Sequence, residues 1–213
     1  MTLTIHFLRH GESQANVDRS FANRVDLPAA LTTRGREQAT DLAGRLAAVP
    51  LTHIYSSPLQ RARETAEVIA TRLGLRTIDV DALREYDTGE FEGLPYDGDA
   101  AWRWREYERI DEAWRRGQRH ARLPGGESLA DIEARFVPFM AQIASIHGAD
   151  NEIAVVSHGG LYRTMLPLVL DNLPVDHVAM RPLGHYESIV AMLIDERWRC
   201  VSWGDQPLPP TTS

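Results

Sequence analysis

Three short apolar runs, each ending at a polar junction, constrain this chain more than any other feature. Leu3-Thr4-Ile5-His6-Phe7-Leu8 ends at Arg9-His10-Gly11, His53-Ile54-Tyr55-Ser56 at Ser57-Pro58, and Ile153-Ala154-Val155-Val156 at Ser157-His158-Gly159. Each has the length of a buried strand, and each is followed by apolar residues recurring at helical spacing. After the first, Thr32 or Thr33 can cap a helix presenting Ala39, Leu42, Ala43, Leu46 and Ala47, stopping near Pro50. After the second, Ser57, Pro58 and Gln60 read as a capping box for a helix with Leu59, Ala62, Ala66, Ile69 and Leu73 inward, ended by Gly74. Thr77 to Val80 reads as a further strand. Ser128 caps a long helix with Ile132, Phe136, Phe139, Ile143 and Ile146 on its core side, and Pro138 predicts a kink or break within it. Tyr186 to Ile194 and Arg197 to Trp203 read as a hairpin.

Strands and helices alternating in this way predict an α/β domain with a mostly parallel sheet. We read residues 1–206 as one domain and 207–213 as a Pro-rich tail. The stretch 93–126 interrupts the alternation. It carries Trp102, Trp104, Tyr107 and Trp114 among its arginines, and a helix is expected over about 100–116. In a parallel sheet, ligands sit beyond the carboxyl ends of the strands. Arg9-His10, Ser56-Ser57 and Ser157-His158 all fall at such ends.

The residues at those ends suit an anion. Gly11 and Gly159-Gly160 lack a Cβ, so backbone N–H groups can approach a bound oxyanion, and a helix opening at Gly159 would add its dipole. Arg9 and Arg61 carry guanidinium forks that match phosphate oxygens. On the residues alone, Arg61 also fits a solvated helix residue, and Glu85 a surface carboxylate beside Arg84. The 213-residue chain contains no Lys, so a phosphate site here must use Arg, His and backbone amides. Its net charge of −7 argues against a nucleic-acid partner. No apolar run is long enough to span a bilayer, no secretory leader is evident, and Cys200 is the lone cysteine. A cytoplasmic protein is expected. His6 and His10, about 13 Å apart on a strand at ~3.3 Å per residue, cannot share a metal ion. There is no His-Glu-x-x-His and no cysteine pair, so no metal site and no cofactor are expected.

Four separated segments then occur in order: Leu8-Arg9-His10-Gly11-Glu12-Ser13 with Asn16; Ser57-Pro58-Leu59-Gln60-Arg61-Ala62 with Thr65-Ala66; Leu83-Arg84-Glu85 with Gly89-Glu90-Phe91-Glu92-Gly93; and Val156-Ser157-His158-Gly159-Gly160. Together they resemble the histidine phosphatase superfamily, which includes the cofactor-dependent phosphoglycerate mutases. The resemblance implies a three-layer α/β/α fold in which 93–126 forms a helical cap insertion. It implies that His10 attacks phosphorus and carries a phosphohistidine. Arg9, Asn16, Arg61, His158 and Gly159 would hold the phosphoryl group, and Glu85 would be the general acid and then the base that activates water. Mutases of the family usually place Arg-His-Tyr-Gly after the acid and carry a longer, Lys-containing insertion. Here Glu85-Tyr86-Asp87-Thr88-Gly89 resembles the phosphatase branch instead. The expected activity is metal-independent hydrolysis of a small phosphorylated metabolite, by a monomer or homodimer with no nucleic-acid or membrane partner. A phosphoglycerate mutase and a catalytically silent phosphate-binding or scaffold protein are the alternatives. Substrate choice would rest on Arg103, Arg105, Arg116, Arg119 or Arg122, with His185 as another lining residue.

Overall fold

The computed structural model describes residues 2–148, 151–174, 183–185, 187–204 and 206–208. Seven strands form one sheet in the order β3-β2-β4-β1-β5-β6-β7. Strands β1 (Leu3–Arg9), β2 (Leu51–Ser56), β3 (Thr77–Asp79) and β4 (Glu152–Ser157) run parallel. Strands β5 (Ser188–Ile194), β6 (Arg197–Trp203) and the two-residue β7 (Gln206–Pro207) extend the β1 side antiparallel. The hairpin expected near the end is therefore β5 and β6. Its turn residues Asp195 and Glu196 both have positive φ, as a two-residue hairpin turn requires. Tyr186 and residues 209–213, within the expected hairpin and tail, lie outside the described residues.

Helices cover both faces, because each central strand is apolar on two sides. Leu8, Ile54, Ala154 and Val156 pack with Leu42, Ala43, Ala62 and Ile69 from α2 (Thr33–Leu46) and α3 (Gln60–Leu73). Their neighbours in the strands, Phe7, Tyr55, Ile153 and Val155, point the other way. There they meet Phe136 and Ile143 of α5 (Leu129–Ile146) and Tyr162 and Met165 of α6 (Gly159–Val169). This is a three-layer α/β/α sandwich with a mostly parallel centre. Helix α4 (Ala101–Arg115), within the expected excursion, places Tyr107, Ile110 and Trp114 in this second core. A short helix, α1 (Gln14–Val17), follows β1.

Local signals were decoded unevenly. Thr32 caps α2, its hydroxyl accepting from Gly35 N–H at 3.0 Å, and Ser128 with Asp131 forms a capping box on α5. Gly74 ends α3 in the left-handed region at φ 68°. The Ser57 capping box does not form: α3 begins three residues later, with Leu59 at its N-cap. Ser57 is wholly buried, and its hydroxyl both pairs with His158 Nε2 at 2.8 Å and accepts from Leu59 N–H at 3.2 Å, which ties it into the loop ahead of α3. Helix α5 runs unbroken through Pro138, while Ile146 at its last turn and Ala47 just beyond α2 are exposed, not core. No helix among the described residues is long and apolar enough to cross a membrane.

Candidate active site

Parallel pairing brings Arg9 beside Ser157 and Ser56 beside Val156, so β1, β2 and β4 end at one edge. A cavity of about 290 Å³ opens there, and Arg9, His10, Asn16, Arg61, Glu85 and Gly159 line it. His158 is fully buried beside it, its ring 5.1 Å between centroids from that of His10.

His10 is held in one orientation. Its Nδ1 lies 2.7 Å from the carbonyl oxygen of Gly11, which can only accept, so Nδ1 carries the proton and Nε2 keeps a lone pair. Arg61 Nε–H donates to that lone pair at 3.1 Å. Burial, with the charges of Arg61 and Arg9, holds the imidazole well below the usual histidine range. His10 is therefore neutral and nucleophilic at Nε2 near neutral pH. His158 is pushed the same way, first by burial and then by Arg61.

Arg61 is 6% exposed, and each of its three guanidinium nitrogens has a partner: Nε to His10, Nη1 to the Ala22 carbonyl at 2.5 Å and Nη2 to Asn23 Oδ1 at 3.1 Å. Burial lowers its pKa to about 10, which leaves it charged at neutral pH. Arg9 donates through Nη1 to the Leu183 carbonyl, while its Nε is buried without a partner among the described residues. His158 Nδ1 is likewise buried and unpartnered. A carbon added at Gly159 would sit 3.1 Å from Arg9 Nε, so glycine lets the guanidinium lie against the start of α6. Asn16 accepts from Ser13 N–H at 3.0 Å through Oδ1, which turns its amide NH2 away from Ser13. Glu85 is 9% exposed and accepts from Gly160 N–H at 2.9 Å and Tyr86 N–H at 3.2 Å. Burial raises its pKa against the opposing pull of Arg61 and these two hydrogen bonds. It is no surface partner of Arg84, which pairs with Asp81.

Two glycine expectations are corrected. Gly11 N–H donates to Thr65 Oγ1 at 3.1 Å, and its missing side chain admits the Gly35 carbonyl, 2.4 Å from where a Cβ would stand. Gly160 N–H serves Glu85 and not an incoming anion. Among the described residues, none of Arg103, Arg105, Arg116, Arg119 and Arg122 lines the cavity; several pair with nearby carboxylates instead. The further arginine that does is Arg163 on α6, paired with Asp111 Oδ1 at 3.4 Å. Its signal was its place three residues after Gly160, on the same helix face. Asn23 and Tyr96, in irregular segments, gave none. His185 is not a lining residue but supports the site, its Nδ1 3.0 Å from the His10 carbonyl oxygen. Among the described residues no three His, Cys, Asp or Glu cluster as a metal site would require.

The arrangement can present one nucleophilic nitrogen to a group rich in oxygen, with two cations beside it and a buried carboxyl across the cavity. The family model of the histidine phosphatase superfamily (branch 1) matches residues 5–206. The Salmonella choleraesuis protein named "probable phosphoglycerate mutase GpmB" is 33% identical over 161 residues, 74% of this chain and 70% of its own. Two solved mycobacterial structures are similar throughout. "Mycobacterial hydrolase 1" has a TM-score of 0.81 at 29% identity, covering 97% of this chain and 100% of that one. A glucosyl-3-phosphoglycerate phosphatase has a TM-score of 0.79 at 28% identity, covering 96% and 99%.

Proposed function

This chain belongs to the histidine phosphatase superfamily, and from that premise we propose that it hydrolyses a small phosphomonoester through a phosphohistidine on His10. One observation carries the reading. Two buried donor-capable atoms, Arg9 Nε and His158 Nδ1, lack partners among the described residues beside a histidine whose Nε2 lone pair is engaged by Arg61 Nε–H alone. A phosphoryl group would satisfy both, since buried polar groups are almost always paired.

In the first step Nε2 of His10 attacks phosphorus as the ester oxygen departs. Arg61 Nε–H moves from the lone pair to a phosphoryl oxygen, and Arg9, His158 and the Asn16 amide hold the others. Glu85, whose hold on a proton burial strengthens, gives that proton to the leaving oxygen. The resulting carboxylate then takes a proton from water attacking the phosphohistidine. The product is inorganic phosphate, and the enzyme is returned unchanged.

Charge favours the phosphatase over the mutase named for the Salmonella relative. A mutase must retain a bisphosphorylated acid of about five negative charges near neutral pH. The cavity offers Arg9, Arg61 and Arg163, and the last is offset only in part by Asp111, which it shares with Arg115. The test is phosphate release from a panel of phosphomonoesters with excess chelator present, beside His10→Ala. Release that stops in the variant, with an acid-labile phosphoprotein trapped in the wild type, supports the mechanism. Activity surviving in His10→Ala would overturn it. Efficient interconversion of 3- and 2-phosphoglycerate in the presence of the bisphosphate would favour the mutase.

A further inference from the structure

Opposite the phosphate-binding end, the cavity wall is aromatic. Phe21, Tyr96, Trp104 and Tyr107 line it, and their rings form a continuous chain. Phe21 and Tyr96 are 4.9 Å apart between centroids, Tyr96 and Trp104 4.9 Å, and Trp104 and Tyr107 4.9 Å and nearly parallel. Phe21 and Tyr107 are buried in the core, whereas Tyr96 and Trp104 are only partly covered. Those two rings are what an alcohol attached to the phosphate would meet.

We propose that the substrate of this site, on the phosphatase reading above, is a monophosphate ester of an uncharged alcohol bearing a ring that packs against Tyr96 and Trp104. Charge and shape agree on this. Among the described residues neither Arg9 nor Arg61 makes an ion pair, so the site keeps two positive charges for one phosphate dianion. Arg163 lies 3.4 Å from Asp111, whose carboxylate it shares with Arg115, and its Nε is buried without a partner among the described residues. A carboxylate on the alcohol would share Arg163 with Asp111 and lie against aromatic faces, which are negative. An open-chain alcohol would leave the indole and phenol faces uncovered. A ring, whether aryl or the apolar face of a sugar, covers them.

Binding and turnover are measured separately, so the two readings can fail separately. Phosphonates, which cannot be hydrolysed, are titrated into the wild-type protein by calorimetry. Benzylphosphonate should bind about tenfold more tightly than methylphosphonate, and 3-phosphonopropionate no more tightly than methylphosphonate. Trp104→Ala should remove most of that advantage while leaving methylphosphonate within about twofold, and Trp104→Phe should restore it. Equal affinity for the three ligands, preference for the carboxylate, or an equal loss on all of them in Trp104→Ala would overturn the inference. In turnover, 1-naphthyl phosphate and glucose 6-phosphate distinguish an aryl from a sugar ring, with glycerol 3-phosphate as the open-chain control. Ring selectivity in binding with no phosphate released from any ester would sink the phosphatase reading alone. Hydrolysis fastest for glycerol 3-phosphate would sink the ring inference alone.

Discussion

On the proposed mechanism His10 reacts only while its Nε2 lone pair is free of a proton, and its surroundings protect that state. Burial and two arginines hold its pKa well below 6.5, so the acid limb of kcat/KM should fall below the ordinary histidine range. Glu85 must instead keep its proton for the first step, and burial raises it above 4.5. The basic limb should then belong to Glu85. Glu85→Gln should lower kcat by about 10²- to 10⁴-fold and remove that limb when the profile is measured with a good leaving group. A basic limb unchanged in this variant would reassign the proton donor. The same groups link pH to stability. His10 and His158 stay neutral in the fold while the unfolded chain takes up protons near 6.5, so their contribution is present above 6.5 and is lost as pH falls toward their lowered values. Glu85 acts oppositely, its contribution fading as pH rises from 4.5 through its raised value. In the Glu85→Gln background the denaturant midpoint should thus drop between about pH 7.5 and about pH 5.5, and a flat midpoint would contradict the burial argument. Sequence made the histidines and Arg9 legible because strand ends in a parallel sheet converge. It left Glu85 ambiguous because burial belongs to the assembled fold and not to Leu83-Arg84-Glu85.

Among the elements, the start of α6 and the loop before α3 do different work from what their sequences suggest. Gly160 reads as a phosphate-facing amide, yet a Cβ there would stand 2.6 Å from Glu85 Oε2. Gly160→Ala should therefore displace the proposed general acid and lower kcat on the order of 10²-fold while the protein stays folded, which circular dichroism and single-turnover kinetics would show together. Loss of phosphate affinity with kcat intact would return the residue to the anion. Ser57-Pro58-Leu59-Gln60 matches a capping box by type and spacing, but local pattern cannot register that His158 needs a partner from across the sheet. Ser57→Ala leaves that imidazole unpartnered at Nε2, removes the acceptor of Leu59 N–H, and should cost about 1–3 kcal/mol in chemical denaturation. Gln60→Ala removes only an i,i+4 contact with Glu64, worth a few tenths of a kcal/mol. Comparable losses in the two variants would restore the cap.

Across the whole molecule, the sheet was legible where strands are apolar on both faces and obscure where they are not. Strands β1, β2 and β4 stand out because two helical layers bury them; the short edge strand β7 is exposed and carries no periodic signal. The segment 93–126 poses the sharper question, because a cap that opens over a site and a wall built into the core make opposite demands on packing. Its helix α4 is divided: Trp102 is 45% exposed, while Trp114 is 5% exposed and donates Nε1–H to the Ala121 carbonyl at 2.7 Å. Trp114 also meets Tyr86, the residue after the general acid, edge to face at 5.1 Å between centroids. A side chain so placed anchors α4 to the same core that carries β1 and β4, so the aromatic wall is fixed relative to His10. Trp114→Ala should then cost about 3–5 kcal/mol and loosen the site with the fold, lowering the melting temperature and kcat/KM together. Trp102→Ala should cost less than about 1 kcal/mol and leave turnover intact, as expected for an exposed ring on the same helix. A detachable cap would instead let Trp114→Ala melt α4 alone. Hydrogen exchange would then show rapid exchange confined to 101–115, with β1 and β4 still protected.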